Sequence, residues 1–400
     1  MSTDYQKALG RKIAQHRRRR GLSQPELARL IDRSVAWVSQ VERGVRKVDR
    51  MSVLETVAQA LDVPLSELAA EAPVVAAAVD EPPEATGLRL VLSGAHALRA
   101  MLNGQMTPDI AALRGRVDKA WELTHVGRYT ELTDLLRDLI PQLETAARAV
   151  PTEQRSELFE LLAMAYQACS GALAKLDEPE AAWIAADRAM GAAERAEAPL
   201  LVAAGAFRLG FVFLGARHYD QAEETARTAA DALWAMADSG RPEAMSLWGG
   251  LTLQRAVTAS RTNDSDAAYA HLERARQIAE RLGDGRNDYN TEFGPANVTL
   301  YEIAVAVELG DAGRALRAAE TVDTSGLSAE RRGRMLIDVA RAHAQRRQVD
   351  EAVQVLREGE EITPEQIRAH PLVRQLVADL ITMQDPPSQE LRKLAQRVAA

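Results

Sequence analysis

The chain has 400 residues, 46% hydrophobic and 26% charged, which is enough apolar mass for two or three packed domains and excludes a disordered chain. Aromatic residues make up only 4%, so the cores suit close helix–helix packing better than a β-sandwich. The net charge of −8 conceals a split: residues 1–50 hold 13 Lys+Arg against 5 Asp+Glu, residues 1–70 keep a net +5, and the remainder is then −13. A basic head on an acidic body points to a polyanionic partner for the head alone.

In chain order, Tyr5–Arg20 reads as a helix with Leu9 and Ile13 turned inward, ended by Gly21. Ser23-Gln24-Pro25-Glu26 is a helix start: Ser23 caps, Pro25 suits the first turn, and Glu26 completes a capping box. That helix runs to about Ile31, Asp32-Arg33 is a tight turn, and Ser34 caps a third helix ending near Gly44. Ser52–Leu61 and Pro64–Ala69 are two further short helices. Residues 71–86, with paired prolines among small and acidic residues, read as a linker.

Almost everything beyond Leu88 reads as amphipathic helix with a recurring unit. A short turn with Gly, Asp or Asn precedes a helix that opens on a small or apolar residue, at Leu132, Ala181, Ala222, Ala268, Ala315 and Ala352. The uneven spacing, longer than a 34-residue tetratricopeptide repeat, describes degenerate helical hairpins. A single hairpin cannot bury its own apolar face, and stacking several does so.

The segments Leu22-Ser23-Gln24-Pro25-Glu26-Leu27-Ala28 and Val38-Ser39-Gln40-Val41-Glu42-Arg43-Gly44 resemble the lambda-repressor/Cro-like (XRE) helix-turn-helix family. The resemblance covers about 65 residues. It departs at Asp32, where the family often has Gly; Asp tolerates a left-handed backbone better than most residues. The resemblance implies that the third helix enters the major groove and the second crosses the phosphate backbone. Val35, Ala36 and Gln40 then face the groove, Gln40 as a bidentate partner for adenine and the other two against thymine methyls. Gln24, Ser34, Ser39, Arg43, Arg46 and Lys47 flank that face as phosphate contacts. Trp37 either presses on a sugar–phosphate edge or fills a gap between helices. The resemblance further implies an Arg17–Glu42 pair, which leaves Arg18–Arg20 mostly solvated. The small core is expected from Leu9, Ile13, Leu22, Leu27, Ile31, Val38, Val41, Leu54, Val57, Leu61 and Leu68.

The expected fold is therefore all-α: a five-helix helix-turn-helix domain (1–70), a linker (71–86) and a tetratricopeptide-like α-solenoid (87–400). The whole arrangement resembles XRE regulators with tetratricopeptide-like tails, of the peptide-pheromone and actinobacterial kinds. In the body, Trp183-Ile184-Ala185-Ala186-Asp187-Arg188-Ala189 and Phe293-Gly294-Pro295-Ala296-Asn297-Val298 resemble the latter set. That implies sensing of a peptide or small-molecule effector.

Residues 284–301 are unusual in placing Asn287, Asn290 and Asn297 with Tyr289, Phe293 and Tyr301 around a Gly-Pro break. Asn amides can pair with a peptide backbone, although they also serve as ordinary turn and cap residues. Arg208 and Gln254 lie inside strongly apolar helices and are expected to face the concave groove that stacked hairpins leave. Arg208, Gln254, Asn290, Phe293, Asn297 and Tyr301 are thus candidate effector contacts. Trp183, Trp234 and Trp248 are expected to pack.

The lone Cys169 allows no intrachain disulfide and suits a reducing compartment. The first residues are polar without an apolar signal region, and no apolar run is long enough for a membrane span, so a cytoplasmic chain is expected. The seven histidines are scattered, with no His-Glu-x-x-His spacing and no Gly-rich phosphate loop, so no enzyme activity, metal or cofactor is expected. The expected function is a transcription regulator that binds a palindromic operator in double-stranded DNA as a homodimer. The alternatives are a DNA-tethered assembly adaptor and an antitoxin-like repressor.

Overall fold

The computed structural model describes residues 3–61 apart from 21, 47 and 49–50, residues 63, 68 and 83–92, and residues 108–398 apart from 385. Helices are the regular elements of the described residues, with no strand among them, and the chain falls into two compact units, Met1–Glu81 and Pro82–Ala400. Residues 71–82 of the expected linker lie outside the described residues, and 83–86 open a helix of the second unit.

The first unit contains α1 (Thr3–Arg19), α2 (Gln24–Leu30), α3 (Val35–Glu42) and α4 (Met51–Leu61). Local chemistry sets the two middle helices. Ser23 accepts from the Glu26 amide while the Glu26 carboxylate accepts from the Ser23 amide, and Pro25 stands in the first turn. Ser34 accepts from the Trp37 amide to start α3. Such caps contribute about 1 kcal/mol each. Between them Asp32 turns the chain at φ 51°, in the left-handed region.

Leu9, Ile13, Leu27, Ala28, Ile31, Val38, Val41, Leu54, Val57, Ala58, Leu61 and Leu68 form one core. Leu22 is only half-buried. Leu68 sits in the core, and the rest of the expected fifth helix lies outside the described residues. A close approach fixes α1 against α3: a Cβ on Gly10 would collide with the backbone carbonyls of Val41 and Glu42.

The second unit opens with α5 (Pro83–Val91). Six hairpins follow: α6 (Ile110–Val126) with α7 (Tyr129–Ala149), α8 (Thr152–Lys175) with α9 (Pro179–Arg195), α10 (Pro199–Gly215) with α11 (Tyr219–Asp238), α12 (Pro242–Arg261) with α13 (Ser265–Leu282), α14 (Pro295–Glu308) with α15 (Ala312–Thr321), and α16 (Ala329–Gln345) with α17 (Val349–Ile362). Three short helices, α18 (Pro364–Ala369), α19 (Pro371–Met383) and α20 (Gln389–Val398), finish it.

The six repeat anchors, Leu132, Ala181, Ala222, Ala268, Ala315 and Ala352, are all buried. Small residues let the helices approach closely, and the buried face of α9 is alanine throughout. The first helices of successive hairpins pack on one another from α6 to α16, and α16 returns to touch α6. This solenoid therefore closes on itself within the unit. The closure is polar: Lys175 pairs with Glu330 at 2.9 Å, Arg374 with Asp177 at 3.7 Å, and the Thr130 amide donates to Glu365 at 3.0 Å.

Candidate functional site

In the first unit, α1, α2 and α3 enclose an open cleft of about 680 Å³ lined by Arg11, Ala14, Gln15, Arg18, Gln24, Ser39, Glu42 and Arg43. Its floor is an ion pair. Arg17 Nε donates to Glu42 Oε1 at 2.5 Å and Arg17 Nη2 to Glu42 Oε2 at 3.0 Å, as the family resemblance implied. Gln24 Nε2 donates to the same carboxylate at 2.8 Å. Burial alone would raise the Glu42 carboxyl, but the bonds from Arg17 and Gln24 outweigh it and hold it below its ordinary value. Arg17 also donates to the Leu22 carbonyl at 2.6 Å, so one guanidinium ties α1 to the start of α2 and the end of α3. The pair neutralises itself, which leaves Arg11, Arg18 and Arg43 as the outward charges of the cleft.

Along α3, Ser34, Val35 and Ala36 are exposed and Ser39 and Gln40 half-exposed, while Val38 and Val41 point into the core. One face is thus anchored and the opposite one is presented. Trp37 is half-buried and packs on the core. Arg43 Nε donates to the Ser39 carbonyl at 3.3 Å, and Arg46 Nη1 approaches Gln40 Oε1 at 3.5 Å. Lys47 lies outside the described residues.

A family model described as a helix-turn-helix domain matches residues 8–70. The first unit is a helix-turn-helix domain. The match stops short of the second unit, and no curated protein gives a match to the chain. Sequence reasoning did not place Arg11, Gln15 and Arg18 on the cleft of the helix-turn-helix domain, although their spacing along one face of α1 was a usable signal. Arg18 and Arg20 are exposed, as expected, and in addition Arg18 lines the cleft and Arg20 donates to the Ala60 carbonyl.

In the second unit, the segment between α13 and α14 bridges four inner helices. Asn287 Nδ2 lies 3.4 Å from His125 Nε2 on α6. The Tyr289 and Asn290 carbonyls accept from Arg208 Nη2 on α10, at 3.1 and 2.8 Å. Asp288 accepts from Ser246 on α12 at 2.7 Å, and the Thr291 carbonyl accepts from Arg331 on α16 at 3.1 Å. Tyr289, Asn290 and Glu292 all take left-handed φ values of 49–57°, so the segment is held in a conformation that non-glycine residues rarely adopt.

The candidate effector contacts separate here. Arg208, Asn290, Asn297 and Tyr301 gather around this segment. Phe293 is 1% exposed and fills the space that Gly249 leaves open on α12. Gln254, also 1% exposed, is wedged against α10 with its Nε2 on the Phe207 carbonyl at 2.5 Å, so it faces a neighbouring helix and no open groove. Trp183 packs edge-on against Phe213 and Trp234 against Trp248, each at 5.2 Å, while both keep nearly half their surface exposed, and Trp248 also packs on the core.

The sequence reading missed Lys175, Glu330 and Arg331, which join Arg208 and Glu292 in one charged cluster. Cys169 is buried, and burial pushes its thiol up to about 12, which removes its nucleophilic form. No described helix is long and apolar enough to cross a membrane.

Proposed function

We propose that the chain is a sequence-specific DNA-binding transcription regulator that acts as a homodimer on a palindromic operator. The observation that carries this reading is the cleft of Arg11, Arg18, Arg43 and Gln24 beside the presented face of α3. Phosphates on both sides of a major groove take the arginines, while Val35, Ala36 and Gln40 meet base edges. Ser34, Ser39, Arg46 and Lys47 add backbone contacts, and Trp37 presses its open edge on a sugar. Gln40 is the one amide on that face, so methyl contacts and DNA shape carry much of the specificity.

One recognition helix reads few base pairs, and two copies with half-sites one turn apart supply the rest. The helical unit senses a small-molecule or peptide effector around Arg208, Asn290, Asn297 and Tyr301. Such an effector acts only through its different affinity for two arrangements of the protein. Footprinting with full-length protein tests the core of this reading, which predicts a protected site that survives moderate salt; protection without sequence preference contradicts it.

A second reading, a DNA-tethered adaptor for another protein, draws on Trp183, Ile184 and Trp234, large apolar side chains exposed on the outer helices. A pulldown that recovers one stoichiometric protein, lost in a Trp183→Ser/Trp234→Ser variant, favours it.

A further inference from the structure

Arg208, on an inner helix of the second unit, stacks on the Phe207 ring at 5.0 Å and has no carboxylate partner among the described residues. Its Nη2 donates to the Tyr289 and Asn290 carbonyls. Its Nε is buried without a partner. Its guanidinium lies 4.9 Å from the centre of the Trp121 ring, and the Nε1–H of that 5% exposed tryptophan is also unpartnered.

The neighbouring charges do not compensate it. Glu330 is taken by Lys175 at 2.9 Å. Glu292 accepts from the Ser328 amide and hydroxyl, both at 3.0 Å, and faces Arg331 at 3.6 Å and His125 at 3.9 Å. Three cations (Lys175, Arg208, Arg331) therefore face two carboxylates (Glu292, Glu330), with His125 held neutral by burial. Burial, with Arg331 close by, lowers the Arg208 guanidinium to about 10, as for a largely buried charge without a carboxylate beside it. Asn297, 2% exposed and bonded through Nδ2 to the same Thr291 carbonyl that Arg331 uses, has its Oδ1 unpartnered as well. The cluster is not sealed: the side chains of His125 and Lys175 keep 22% and 26% exposure.

We propose that this cluster binds one organic carboxylate, held by Arg208 and the Trp121 N–H. One uncompensated positive charge matches a carboxylate and would be over-neutralised by a phosphate dianion. The carboxylate belongs either to a small acid or to the C-terminus of a short peptide. This rests on the sensing role given above to the helical unit but names the chemistry it reads.

The test titrates full-length protein at constant ionic strength with benzoate, trialanine, trialanine amide and inorganic phosphate, read by calorimetry and by tryptophan fluorescence. One equivalent of benzoate or of trialanine should bind, at least about tenfold more weakly in Arg208→Gln and unchanged in Arg43→Gln, which alters the cationic cleft of the first unit. Arg208→Lys keeps the charge without the planar fork and should fall between the two, which separates lost recognition from a misfolded variant. Trialanine bound in preference to its amide and to benzoate assigns a peptide terminus, and benzoate in preference assigns a small acid. Binding unaffected by Arg208→Gln, phosphate preferred to both carboxylates, or no carboxylate bound up to about 10 mM overturns the proposal. Binding to duplex DNA is measured on the same samples. Carboxylate binding that leaves DNA affinity unmoved supports the site and sinks the sensing role, while intact DNA binding with no carboxylate bound sinks the site alone.

Discussion

The helix-turn-helix domain and the helical unit behind it use charge in opposite directions. Among its described residues the first encloses the Arg17–Glu42 ion pair and turns Arg11, Arg18, Arg43 and Arg46 outward. The second turns apolar Trp183, Ile184 and Trp234 outward and gathers Lys175, Arg208, Glu292, Glu330 and Arg331 between its inner helices. An outward cationic face suits a polyanion met in water, where long-range attraction guides approach. An inward cluster of almost balanced charge suits a small ligand, because the surrounding protein strengthens each interaction there.

The largest way to break this comparison is at Gly10. Leucine there has no room against the Val41 and Glu42 carbonyls, and backbone cannot step aside as a side chain could. Gly10→Leu should cost more than about 3 kcal/mol, removing the transition of the first unit from a full-chain melt and leaving that of the second in place. A melt identical to that of the parent protein would mean that α1 and α3 are not packed in this way.

Next comes Glu42→Ala, which strands the Arg17 guanidinium and the Gln24 amide at the base of the cleft. The expected loss is about 3 kcal/mol in urea denaturation of the first unit, with Glu42→Gln losing less.

Acid should divide the units. Burial, with Arg334 alongside, lowers His370 to about 3, and burial with Arg255 lowers His271 to about 4. Both folded values lie below the ordinary 6.5, so their contribution is complete above pH 6.5 and is lost as pH falls toward those values. Glu330, brought down to about 2 by Lys175 and Arg331 against the effect of burial, adds a loss that begins below 4.5. The shifted carboxyls of the first unit, Glu26 and Glu42, hold their contribution down to about pH 4.5. Denaturation at pH 7 and pH 5 should therefore show the second unit weakened and the first less so; the reverse order would contradict the assignment of buried neutral histidines. The smallest effect is expected from Arg114→Ala, because the Arg114–Glu157 pair is about half exposed at both ends, and its loss should stay below about 1 kcal/mol.

Much of the first unit was legible because its signals are local. The Ser23–Glu26 box, the Ser34 cap and the left-handed Asp32 each depend on residues a few positions apart. The buried repeat anchors of the second unit were legible for the same reason. What stayed hidden depends on distance along the chain. Lys175 and Glu330 meet only because α16 returns to α6, and no period in the sequence reports that closure. Gln254 looked like a groove residue because polarity in an apolar helix has two outcomes, and here the buried partner, the Phe207 carbonyl, prevailed. Phe293 stood out as an aromatic beside asparagines, but the missing side chain of Gly249 made it core.

On the proposed function, the presented face of α3 reads DNA sequence. This is tested most directly by selecting bound duplexes from a randomised pool with full-length protein and repeating the selection with Gln40→Ala. One recurring motif is expected, with paired half-sites about one helical turn apart, and relaxed preference at a single position of each half-site in the variant. A pool that emerges unenriched, or a motif unchanged by Gln40→Ala and by substitutions at Val35 and Ala36, would contradict it.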